Sequence, residues 1–146
     1  MRKNNANILI GRIRRKVNRY IETEMKARGL DGIVVSQGGI LGVLYRHQGK
    51  LSMKEIADLI RRDKSTVTYL VNKLTDVGYV AKIPDEKDSR VINVCLTDKA
   101  YEVEHVFTAI SEGMLQRLYH NLTDKEAEQL EMLLEKVNEN FDKLDN

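Results

Sequence analysis

Residues 64–77, KSTVTYLVNKLTDV, hold the densest set of side chains suited to reading another molecule's hydrogen-bonding edge. At about 100° per residue, Ser65, Thr68, Tyr69, Asn72 and Asp76 gather on one side of a helix, and Val67, Leu70, Val71, Leu74 and Val77 on the other. Hydroxyl, phenol and carboxamide groups so arranged can donate to and accept from nucleic-acid base edges and phosphates. The apolar stripe must pack on something. On an isolated helix such a polar face is ordinary solvated surface, so its meaning depends on the elements that would position it.

The element before it is strongly signalled. Ser52-Met53-Lys54-Glu55 reads as a capping box, with Leu51 and Ile56 as its hydrophobic staple. The helix it opens carries Ile56, Leu59 and Ile60 and ends at Arg61-Arg62-Asp63, where Asp63 can cap the next helix. Two short helices joined by a tight turn, the second presenting small polar groups, form the helix-turn-helix layout. Gly78 is expected to close the second helix, and a hairpin follows. Residues 79–83 read as one strand, 84–89 as a polar connection, and 90–97 as the return strand, with Ile92, Val94 and Leu96 alternating against Val91, Asn93 and Cys95. A polar-tipped hairpin behind such a helix is a wing, and this one carries Lys87 and Arg90 among Asp85, Glu86 and Asp88.

Long helices flank this centre. Over residues 8–28, Leu9, Ile10, Ile13, Val17, Tyr20, Ile21 and Met25 recur at helical spacing, with Gly29 and Leu30 as the C-terminal cap. Arg12, Arg14, Arg15, Lys16 and Arg19 cover the remaining surface. After a turn at Asp31-Gly32, a second helix is expected over 36–47, carrying Ile40, Leu41, Val43 and Leu44 and stopping at Gly49. Gly38 and Gly39 in its first turn each cost about 1 kcal/mol relative to alanine, so either the helix starts late or the backbone there approaches something closely, at a tight helix crossing or a ligand-pocket wall. Thr97-Asp98 is expected to cap a helix reaching about residue 120 through Val103, Val106, Phe107, Ile110, Met114 and Leu118. Thr123-Asp124-Lys125-Glu126 is a second capping box, opening a last helix with Leu130, Leu133, Leu134, Val137, Phe141 and Leu144 on one side.

Composition narrows the class. With 146 residues, 42% of them hydrophobic, one proline and nine glycines, the chain fits one compact, mostly helical body without linker-separated domains. No apolar run spans a membrane and no signal-like start is present, so a cytoplasmic protein is expected. The single Cys95 agrees with a reducing compartment and, with no basic neighbour in sequence, reads as a packing residue rather than a redox sensor. His47, His105 and His120 lack zinc-ligand spacing, and no cofactor is expected. A phosphate-cradling glycine loop, a nucleophile elbow and an H-E-x-x-H motif are all missing, which argues against an enzyme. Net charge is only +2, but its distribution is uneven. Residues 1–49 carry ten basic against three acidic side chains, 50–97 nine against seven, and 98–146 five against twelve. Most of these charges read as solvated faces of terminal helices that pack together, and some N-terminal arginines could raise the potential near a DNA backbone.

The chain resembles the MarR family of bacterial transcriptional regulators over nearly its full length. Asp88-Ser89-Arg90-Val91-Ile92-Asn93-Val94-Cys95-Leu96-Thr97 is similar to the family's wing pattern, and the segments from Leu51 to Ala57 and from Lys64 to Leu74, closed by Gly78, are similar to its paired helices. The resemblance implies a mainly α fold with a small β-hairpin wing, a winged helix-turn-helix over 33–97 flanked by dimerisation helices at 1–32 and 98–146. It also implies a homodimer that reads a palindromic operator in double-stranded DNA and usually represses transcription. Apolar faces on the terminal helices, too extensive for a small winged helix to cover, independently call for a partner. Ser52, Lys64, Ser65, Thr66, Thr68, Tyr69, Asn72, Lys73, Lys87 and Arg90 are the expected DNA contacts. Thr68, Tyr69 and Asn72 are expected at bases, Lys64, Ser65 and Lys73 at phosphates, and Arg90 in the minor groove, with Asp88 shaping the wing. Tyr69 stands where many members have arginine, and Ser89 where a second wing arginine is common, which implies a weaker wing contact. Family members commonly respond to small aromatic or amphipathic anions in a crevice that here would be walled by the first, second and fifth helices near Gly38-Gly39. The competing readings are a transcriptional activator and a winged helix used for protein contacts alone.

Overall fold

The computed structural model describes residues 4–30 and 32–144, Leu144 by its backbone alone; Asp31 of the expected turn lies outside them. In chain order the elements are α1 (Ala6–Ala27), α2 (Val35–Arg46), β1 (Lys50–Ser52), α3 (Met53–Ile60), α4 (Lys64–Asp76), β2 (Val80–Pro84), β3 (Ile92–Leu96), α5 (Asp98–Glu102), α6 (Glu104–Tyr119) and α7 (Asp124–Leu144). They divide into two units, one up to Glu112 and one from Gly113 onward.

The first unit is built around the apolar stripe of α4. Val67, Leu70, Val71 and Leu74 are buried there, among Ile40, Leu41 and Leu44 of α2, Ile56 of α3, Val80 of β2 and Val94 of β3. Burying such a side chain is worth about 1.5–3 kcal/mol, whereas threonine and valine give up only a few tenths each in helix propensity. Packing therefore fixes α4 as a helix and decides which face points outward. Its ends follow the sequence: Asp63 caps the start, and at the other end the Tyr79 N–H donates to Leu74 O and the Gly78 N–H to Thr75 O, both at 3.0 Å. That double closure needs a left-handed residue, and Gly78 supplies it at φ +82°.

Several features depart from the sequence expectation. The hairpin is part of a three-stranded antiparallel sheet of order β1-β3-β2, in which Lys50, Leu51 and Ser52 pair with Cys95, Val94 and Asn93. A three-residue strand is too short to show alternation, and Leu51 was already accounted for as a staple residue. The return strand begins at Ile92 rather than at residue 90 because Arg90 and Val91 complete the wing turn, with the Val91 N–H donating to Asp88 O and the Asp85 N–H to Val91 O, each at 2.9 Å. Lastly, the expected fifth helix is two helices broken at Val103. The Tyr45 hydroxyl donates to Ala100 O at 2.5 Å, competing for the carbonyl that a continuing helix would give to the Glu104 N–H. Thr97 is no side-chain cap for α5; its hydroxyl donates instead to Gly78 O at 2.6 Å, tying the end of β3 to the end of α4.

In the second unit, Thr123 and Glu126 make the expected reciprocal bonds, at 2.8 and 3.2 Å. The Tyr119 hydroxyl donates to Glu131 at 2.6 Å. Leu130, Leu133, Leu134, Val137 and Phe141 of α7 are all exposed.

Candidate nucleic-acid interface

The outward face of α4 is organised from its cap. The Asp63 carboxylate accepts from the Ser65 hydroxyl at 2.5 Å, the Thr66 N–H at 3.0 Å and the Thr66 hydroxyl at 2.6 Å. Those bonds, the Ser65 hydroxyl first, hold its carboxyl well below the usual carboxylate range. Ser65 and Thr66 thus spend their protons locally and offer lone pairs outward. One turn on, the Thr68 hydroxyl donates to Lys64 O at 2.8 Å. Tyr69 is 61% exposed, and Lys73 Nζ lies 5.5 Å from its ring centroid, a cation–π contact that steadies both. Asn72 accepts from Lys82 Nζ at 2.6 Å, so its side chain is oriented from β2.

Ser52 ends β1 and caps α3. Its hydroxyl accepts from the Glu55 N–H at 3.1 Å and its own N–H donates to Glu55 Oε1 at 3.0 Å, which lowers the Glu55 carboxyl below its ordinary value. With this side chain committed to the cap, the first-turn amides of α3 are what this corner presents to an anion.

The wing tip is folded by two carboxylates. Asp85 accepts from the Lys87 and Asp88 amides at 3.0 and 3.1 Å and from Asn93 Nδ2 at 2.9 Å. The Asn93 bond leads the causes that hold the Asp85 carboxyl low. Asp88 receives the Arg90 guanidinium in a fork, Nε at 3.0 Å and Nη2 at 3.1 Å, together with the Arg90 amide at 3.1 Å. Arg90 lowers the Asp88 carboxyl, and its own guanidinium is held protonated more firmly in return. Although paired, the Arg90 side chain is 89% exposed, so its outer edge is open to a further anion. Lys87 stands exposed at the tip.

Between helices and wing lies a concavity of about 480 Å³, lined by Ser52, Met53 and Lys54 of the α3 corner, Lys64, Val67 and Thr68 of α4, Lys82 of β2, and Arg90, Val91 and Ile92 of the wing. It brings together four of the sequence-expected contacts, Ser52, Lys64, Thr68 and Arg90. Ser65, Thr66, Tyr69, Asn72, Lys73 and Lys87 lie outside its lining. Sequence reasoning missed Lys54 and Lys82. A lysine in the first turn of a helix, where acidic residues are favoured, was the available signal for the first; for the second, only the sheet register shows that strand and helix meet.

The remaining candidates read blandly. A Cβ on Gly38 would sit 3.6 Å from the Phe107 ring, the geometry of a close helix crossing, whereas a Cβ on Gly39 would meet nothing within 4 Å. Cys95 is half-buried. Among the described residues no group of acidic, histidine and cysteine side chains could hold a metal, and no helix is long and apolar enough to cross a membrane.

Comparison with known proteins agrees with this geometry. A model of the MarR family matches residues 28–91. The HTH-type transcriptional regulator SarZ of Staphylococcus epidermidis is 32% identical over 107 residues, 73% of this chain and 71% of that protein. Among solved structures, the S. aureus MepR–DNA complex superposes with a TM-score of 0.84 at 26% identity, covering 94% of this chain and 99% of that one. A cysteine-to-serine mutant of MarR from E. coli, complexed with operator DNA, gives 0.76 at 25% identity, covering 93% and 99%.

Proposed function

The chain belongs to the MarR family of transcriptional regulators, DNA-binding proteins rather than enzymes, and from that premise we propose how it engages its target. It acts in the cytoplasm as a homodimer on a palindromic operator, with α4 of each subunit in a major groove and the wing against the adjoining minor groove. Thr68, Tyr69 and Asn72 face base edges. Lys64 and Lys73, with the Ser65 backbone and the Ser52 corner of α3, hold phosphates, and Thr66 keeps Asp63 in place beside them. Lys87 and Arg90 reach the flanking backbone and groove, Asp88 fixing the guanidinium in place. Binding represses transcription, and a small aromatic or amphipathic effector relieves it.

One observation carries this reading: the exposed polar face of α4 and the exposed guanidinium of Arg90 flank the same cation-lined concavity. Such a surface releases counterions on binding, so affinity must fall steeply with salt. Gel-shift titration of DNA fragments from the gene's own neighbourhood at graded salt tests it. A shifted fragment whose affinity drops with salt supports the proposal; no shifted fragment at low salt sinks it. Phenolic acids added to the shifted complex test the effector, and insensitivity to all of them would remove that part.

A further inference from the structure

The hydrogen bond between Lys82 and Asn72 constrains what the carboxamide can read. An ammonium donates and cannot accept, so Lys82 Nζ, at 2.6 Å, fixes Oδ1 as the atom facing β2. Nδ2, the other limb of the same amide, keeps both protons available. Because the partner is a neutral amide rather than a carboxylate, the pair keeps a full positive charge.

In the major groove, a lone asparagine matches adenine, accepting from N6 and donating to N7; guanine instead offers two neighbouring acceptors, O6 and N7. With its oxygen shared with a cation, Asn72 is a poor acceptor for adenine's amino group, whose protons would meet the lysine charge. The remaining protons of Nζ and those of Nδ2 form adjacent donors, the complement of guanine. We infer that Lys82 is a specificity-determining residue that converts Asn72 from an adenine reader into part of a donor pair selecting guanine. The inference rests on the proposed placement of α4 in the major groove.

The test begins with selection of bound duplexes from a random library by the full-length protein, followed by base-by-base substitution of the selected site. Wild type, Asn72→Ala, Lys82→Met and Lys82→Arg are then compared at one salt concentration. The position that loses its preference in Asn72→Ala should favour guanine over adenine roughly tenfold or more in the wild type, within the discrimination of one good bidentate contact. Lys82→Met should abolish or invert that preference and leave other positions unchanged, while Lys82→Arg, which keeps the donors, should retain it. An even loss of affinity at every position in Lys82→Met, with the guanine preference intact, would make Lys82 a phosphate contact and overturn the inference. Adenine favoured by the wild type at that position overturns it too. If the wild type enriches no duplex at all, the DNA-reading placement itself falls, a separate outcome from either of these.

Discussion

At the scale of single residues, the candidate interface is held together by three carboxylates. Asp63, Asp85 and Asp88 each accept several hydrogen bonds and have depressed carboxyl pKa values, through Ser65, Asn93 and Arg90 respectively. A depressed folded-state pKa means the unfolded chain binds the proton more readily. Their contribution is therefore present above the ordinary carboxylate range, near pH 4, and fades as pH falls below it. Amide spectra recorded during acid titration should show the Lys87, Asp88 and Arg90 N–H groups losing their hydrogen-bonded shifts below about pH 4, with no change between pH 5 and 8. On the reading side, Asn72→Ala should weaken specific binding by roughly 1–3 kcal/mol, measured at fixed salt; unchanged affinity would remove Asn72 from the contact set. Asp88 and Arg90 were legible in sequence because they lie two apart in a turn. The Lys82–Asn72 bond was not, since it joins a strand to a helix whose meeting depends on sheet register.

Among elements, the helices announced themselves through their ends. Ser52 with Glu55, Asp63, Gly29, Gly78 and Thr123 with Glu126 all mark boundaries, and these are local devices that a linear reading can find. Thr97 misled for an equally physical reason, since a hydroxyl of the right type for a cap found a better acceptor in Gly78 O across the fold. The break at Val103 was invisible because Tyr45, which takes the Ala100 carbonyl, lies 55 positions away from it in sequence. β1 was hidden because it is three residues long and two of them, Leu51 and Ser52, also serve the α3 cap. Ser52 serves both, so Ser52→Ala should do more than trim a helix end. We expect a loss of about 0.5–2 kcal/mol in denaturant unfolding, the usual cost of a cap, together with faster hydrogen exchange along the β1–β3 pairing. Exchange that changes only in α3 would confine the role of Ser52 to capping.

For the whole molecule, the single chain leaves the exposed apolar side chains of α7 without a packing partner among the described residues. Six large apolar side chains exposed on a 21-residue helix, Met132 among them, are more than a stable monomer ordinarily shows, and they support the proposed homodimer. Leu134→Asp should shift sedimentation from dimer toward monomer and reduce operator affinity far more than it lowers the unfolding midpoint of the first unit. Full operator affinity from a monomeric variant would refute the dimeric reading mode. The central strand β3 then has a consequence for evolution as well as for binding. It is bonded on one side to the strand that leads into α3 and on the other to the strand that follows α4, so the helix pair and the wing share one sheet. On the proposed palindromic operator, the helix and wing contacts of each half-site are therefore inherited as one unit, because a substitution that shifts the shared sheet moves both together.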